Sequence, residues 1–169
     1  MMSAEVAQLL AILDQAYNRA SWHGTNLRGS IRRVRAEQAA WRPGPPRHNI
    51  WEIVVHAAYW KYAVARRFTS VRRGSFPFKG SNWFRRPVDQ KHVTEPAWRA
   101  DIALLDQMHE SLRTTVMCLS NKDLARTPPG KKVSNFALLS GVAAHDLYHA
   151  GQIQLLKRLS SPSDKSAAR

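Results

Sequence analysis

Cysteine is nearly absent: Cys118 stands alone among 169 residues. An internal disulfide is thereby excluded, and so is a site built of several thiolates. Any metal must be held by nitrogen and oxygen donors. Cys118 itself is expected to pack rather than to react. Long apolar runs are also missing, none approaching the roughly 20 residues that cross a bilayer. The amino terminus, MMSAEVAQLLAIL, carries neither the basic segment nor the small-residue cleavage site of a secretory signal. A cytoplasmic protein without a membrane partner is expected. Acidic side chains are scarce as well, 12 Asp and Glu against 26 Lys and Arg, for a formal charge of +14. Such an excess attracts polyanions and keeps nucleic acid among the candidate partners, behind small molecules.

The chain has enough length for one sizeable core and too little for two. Its 44% hydrophobic and 22% charged residues are ordinary for a globular protein. One domain over residues 1–160 is expected, followed by a polar, disordered tail at 161–169. In 4–20, Val6, Leu9, Leu10, Leu13 and Tyr17 recur at helical spacing. Gly24 interrupts that pattern, and Leu27, Ile31 and Val34 resume it more weakly, predicting a bent or two-part first helix. WRPGPPRHN, residues 41–49, must be a loop. Asn49 with Glu52 makes a capping-box-like start for a second helix over 49–68. Residues 69–93 form a long loop, and its surroundings (66–92) hold eight Lys or Arg against Asp89 alone. A loop of that length hints at a lid or a binding role. Thr94 and Pro96 open a third helix whose stripe is Trp98, Ile102, Leu105, Met108, Leu112 and Val116. Ser134 begins the fourth. Four apolar-striped helices without a persuasive strand predict an all-α helical bundle.

The fourth helix contains AAHDLYHAGQIQLL, residues 143–156. His145 and His149 are four apart, so on a helix their rings can reach one point. Leu138, Val142, Ile153 and Leu156 lie near the same face, which turns the imidazoles inward, where unpaired polar rings are costly. His56, set among Ile53, Ala57 and Trp60, faces inward from the second helix. Three histidines suffice for a tris-imidazole metal site with an open position. A hydrogen bond from His56 across the core to one of the others is the alternative. HDLYH differs from the zinc-protease pattern His-Glu-x-x-His by Asp146, which is one methylene shorter. Asp146 is read as orienting a neighbour or pairing with a basic side chain, or as bonding an imidazole from behind. Gln152 falls on the histidine face, where it could steady a water or simply pack. Glu52, one turn before His56, could accept a bond from that ring or serve only as the cap. Trp60 and His23 are candidate pocket residues, whereas His48, His92 and His109 read as loop or surface.

WRPGPPRHNIWEIVVHAAYWKYAV followed by GVAAHDLYHAGQIQLLKRL resembles the DinB-like (DinB/YfiT-like) metalloenzyme family over roughly residues 4–160. The resemblance implies a four-helix bundle with up-down-down-up connection, often dimeric. It implies a divalent cation, commonly zinc or nickel, on His56, His145 and His149. Family members include S-transferases that use low-molecular-weight thiols and a thiol-dependent isomerase, while many have no assigned reaction.

A thiol activated at the metal and attacking a small electrophile is the favoured chemistry, and hydrolysis by a metal-dependent hydrolase is the second. No serine, cysteine or lysine is placed as a separate nucleophile. In the long loop, Phe76, Phe78, Trp83 and Phe84 would either close over the cavity or pin the loop to the bundle. Arg85 or Arg86 would bind an acidic group. A rival reading makes the protein a nucleic-acid binder with a structural metal, its basic and aromatic residues between 66 and 86 tracking phosphates and bases.

Overall fold

The computed structural model describes residues 2–69 and 74–161. The expected tail from 162 onward and residues 70–73 of the basic loop lie outside the described residues. Within them all regular structure is helical. Helix α1 spans Ala4–Tyr17, and the Ser3 hydroxyl at its start accepts the Val6 N–H. Two short helices follow, α2 at Leu27–Ser30 and α3 at Ala36–Ala40. Helix α4 covers Ile50–Ala65, and a 3-10 turn, Arg66–Phe68, prolongs it. Helix α5 is Glu95–Met117, α6 is Asn121–Ala125 and α7 is Asn135–Ser160.

The four long helices start where short polar side chains cap free N–H groups. Asn49 accepts the Glu52 N–H at 2.8 Å, Thr94 accepts that of Ala97, and Ser134 that of Ala137. The Glu52 carboxylate does not complete the expected box, because Arg42 and His48 hold it. A full reciprocal box occurs instead at Ser120 and Asp123, where it starts α6.

The bent first helix is corrected. After Tyr17 the chain leaves helical geometry until Asn26 caps α2, and Arg33 takes a left-handed φ of 64° that separates α2 from α3. A left-handed arginine cannot continue a right-handed helix. Leu27, Ile31 and Val34 are nevertheless buried as their spacing predicts.

Helix α4 packs against α5 and α7, and α1 against the same two. Two apolar clusters fill the interior. One gathers Trp51, Trp98 and Leu105 with Ile153 and Leu156, and the other gathers Leu9, Leu13, Leu112, Leu139 and Val142. Along α4, α5 and α7 the switch between clusters occurs near a polar position. Lys61 marks it on α4, His109 on α5, and His145, Asp146 and His149 on α7. The sequence of cluster members thus sandwiches a buried polar layer between two apolar ends.

Candidate metal centre

Two helices and one loop assemble the histidine cluster. His56 on α4 and His145 and His149 on α7 offer ring nitrogens that all lie within 4.8 Å of one another. Nε2 of His145 is 3.1 Å from Nε2 of His56 and 3.1 Å from Nε2 of His149. The other nitrogens fix the tautomers. Nδ1 of His56 lies 2.8 Å from the Asn82 carbonyl, which can only accept, so Nδ1 carries the proton and Nε2 a lone pair. Nδ1 of His149 likewise donates to Gln152 Oε1 at 2.7 Å.

Two bare Nε2 atoms therefore face a third. A proton on His145 Nε2 could serve only one of them, leaving the other lone pair without a donor. Further protonation offers no relief near neutrality. Burial depresses all three rings, His56 to about 4 and His145 to about 3, with His149 also below its ordinary value. A cation resolves the conflict. Tetrahedral zinc with Zn–N near 2.0–2.1 Å separates its ligand nitrogens by about 3.3 Å, close to the spacing present. The donor set fits a divalent metal.

Around the cluster, Trp83 lies between two imidazoles. It stacks on His56 at 3.8 Å and on His48 at 3.6 Å, both nearly parallel. Trp60 donates its indole N–H to Asn82 Oδ1 at 2.9 Å and meets His56 edge-on. Asn82 adopts φ of 68°, a left-handed conformation that asparagine tolerates better than most residues and that belongs to the turn carrying its carbonyl and Trp83. The long loop thus reaches the site through Asn82 and Trp83. Phe76 and Phe84 instead sink into the apolar cluster against Tyr59 and anchor the loop.

Asp146 turns away from the rings. It pairs with Lys61, and neither side chain is exposed to solvent. Burial pushes the Lys61 ammonium down and the Asp146 carboxyl up, each countered by the other's charge. Lys61 also sits 4.8 Å above the Tyr17 ring. This pair ties α4 to α7 beside His145, which fixes the relative placement of the two histidine-bearing helices.

Other expected residues lie elsewhere. His23 is exposed and its ring contacts the Ser21 hydroxyl, with no contact to the cluster. Glu52 bonds Arg42, His48 and the Arg86 N–H rather than His56. Burial raises its pKa, but the Arg42 and His48 bonds outweigh that and hold the carboxyl below its usual range. Arg86 is engaged with Asp101 at 2.6 Å and packs over Phe78, so it is not free to take an anion, while Arg85 is exposed. His109 is not a surface residue. It is 2% exposed and stacked on Tyr17 at 3.8 Å. Cys118 does not pack but is exposed just after α5.

A family model described as DinB superfamily matches residues 5–153. The chain belongs to the DinB superfamily. No curated protein matches it, and no solved structure does. The matched stretch of this DinB-superfamily chain contains all three clustered histidines. It also contains Asn82 and Lys61, which were not expected at the site, and Trp83, the one of the four loop aromatics that stacks on a clustered histidine. A lysine amid VVHAAYWKYAV, on an otherwise buried helix, was the available signal for Lys61.

Proposed function

We propose that this chain is a metal-dependent enzyme in which α1, α4, α5 and α7 form an up-down-down-up four-helix bundle. It binds a divalent cation, zinc or nickel, through His56, His145 and His149, and transfers a low-molecular-weight thiol to a small electrophile. The observation that carries this reading is the convergence of three Nε2 atoms whose partner nitrogens on His56 and His149 are already committed as donors. When bound, the cation supplies Lewis acidity that lowers the pKa of a thiol or water in its open position.

The chain's own residues do the rest. Asn82 and Gln152 hold two rings in the ligating tautomer. Trp83 covers one face of His56 and limits water there. The approach to His145 is apolar, lined by Trp60, Val64, Leu138 and Val142. An apolar approach suits a weakly hydrated sulfur better than water, which favours thiol transfer over hydrolysis.

Elemental analysis of the purified protein beside a His145→Ala, His149→Ala variant tests the site. About one equivalent of metal in the first and little in the second is expected; equal contents would remove the site. Turnover of an electrophile that requires both metal and added thiol supports transfer, whereas metal-dependent turnover without thiol makes the chain a hydrolase.

A further inference from the structure

A cavity of about 990 Å³ opens where the Arg66–Phe68 turn meets the segment between α6 and α7. Arg66, Arg67, Arg126, Lys131 and Lys132 line it, and the acid in its lining is Asp123. That carboxylate is spoken for, since it accepts both the N–H and the hydroxyl of Ser120 in the α6 cap. Among the described residues none of the five cations forms a salt bridge. Five like charges around one concavity repel one another and focus positive potential into it. A solvated basic surface would satisfy its donors with water, yet Nε of Arg66 is buried and has no hydrogen-bond partner. A buried guanidinium N–H without an acceptor is costly, and an anion in the basin would offset the charge that this guanidinium shares with its four neighbours.

The basin does not end blindly. Val133 and Leu138 line both it and a second cavity of about 300 Å³, whose wall is otherwise mostly apolar and includes Trp60, Val64, Val142 and His145. Leu138 and His145 are seven residues apart on α7, about 10 Å along the helix axis. A charged basin, an apolar trough and the metal-facing histidine therefore follow one another along one side of α7.

From this arrangement we infer that the chain takes an elongated amphipathic anion, a molecule with a phosphate or carboxylate head in the Arg66 basin and an apolar chain laid along the trough toward His145. The inference rests on the proposed metal site, and it assigns anion recognition to Arg66 and its neighbours rather than to Arg85 or Arg86. The open space at Gly141, where an added Cβ would meet no atom within 4 Å, keeps the trough accessible.

Calorimetric titration of the full chain with decyl phosphate, decanoate, decanol, inorganic phosphate and a short single-stranded oligonucleotide tests it. Both chain-bearing anions should bind at least about tenfold tighter than decanol or inorganic phosphate, with the tighter of the two naming the head group. Arg66→Gln with Lys132→Gln should weaken decyl phosphate by roughly 10- to 100-fold, the range of a charge-assisted hydrogen bond, and leave decanol unchanged. The exposed triple change Arg126→Gln, Lys131→Gln, Lys132→Gln repeats the test without touching a buried group. Gly141→Trp should weaken both decyl phosphate and decanoate while inorganic phosphate binds as before. The inference is overturned if decanol binds as tightly as the anions, if the charge variants bind decyl phosphate like the wild type, or if the oligonucleotide binds tighter and displaces it. No turnover is read. Failure to bind in a protein that holds its metal removes this inference alone, whereas binding by a protein that never holds metal keeps the anion site and removes the proposed reaction together with the ligand's role as its substrate.

Discussion

Replacing Lys61 by methionine removes one partner of a salt bridge that solvent does not touch. The substitution keeps a straight four-atom stem, with sulfur in place of Cδ, and loses the ammonium, so packing along the stem is largely retained. What remains is a carboxylate at 0% exposure whose Oδ1 already lacks a hydrogen-bond partner. Removing one partner of a buried pair costs about 3–5 kcal/mol, most of it the desolvation of the charge left behind. For a domain of this length each kcal/mol lowers the melting temperature by roughly 2–4 °C, so a fall of about 6–20 °C is expected. The double variant Lys61→Met, Asp146→Leu removes both charges and should regain most of that loss. Denaturant unfolding of wild type, both single variants and the double variant closes the cycle. If Lys61→Met lies within about 1 kcal/mol of wild type, or the double variant is no better than the single, the pair does not fasten α4 to α7.

Gln152→Leu should lower metal affinity by about 10- to 100-fold, the usual cost of losing an outer hydrogen bond to a ligating histidine, and competition with a chromogenic chelator would measure it. Unchanged affinity would mean that Gln152 only packs. His109 is buried without a hydrogen-bond partner for either nitrogen, and Asp14 lies 3.5 Å from Nε2. Burial lowers its pKa to about 3, below the ordinary 6.5, so the unfolded chain binds the extra proton between those values. Stability is therefore fully present above about pH 6.5 and is lost as pH falls toward 3, by up to roughly 5 kcal/mol from this ring. Unfolding curves of a His109→Phe variant should show a shallower decline over that window, and an identical slope would refute the assignment.

Much of this molecule could be read from spacing and caps. Asn49, Thr94 and Ser134 mark helix starts because a side-chain oxygen within reach of the third N–H is a local property. The histidines were legible for a similar reason: His145 and His149 are one turn apart, and His56 sits on an apolar face. Breaks within the first forty residues were harder. Arg33 assumes its left-handed turn in a stretch whose apolar spacing still looks helical, so periodicity found the buried residues and missed the geometry. His109 was legible by position, four residues after Leu105 and three before Leu112 on the buried stripe of α5, and only its partner Tyr17, ninety-two positions away on α1, lay beyond local spacing.

The polar layer shows why pattern alone underdetermines such a site. Each of Lys61, His109 and Asp146 sits at a position where a hydrophobic side chain would continue the core, and each is costly in isolation. Together they are offset in part: Lys61 neutralises Asp146 and lies over Tyr17, and Tyr17 stacks on His109 and donates its hydroxyl to Asp106. The Lys61–Asp146 pair fixes the register of α4 against α7, because a shift along either helix leaves a buried charge unpaired. That register is what brings the Nε2 of His56, on one helix, to 3.1 Å from that of His145, on another. A cradle for a metal needs its donors held at a spacing set by the ion, and an apolar interface tolerates sliding more readily than an ion pair does. The buried pair and the histidine cluster are thus two parts of one device, the first holding the helices where the second can bind.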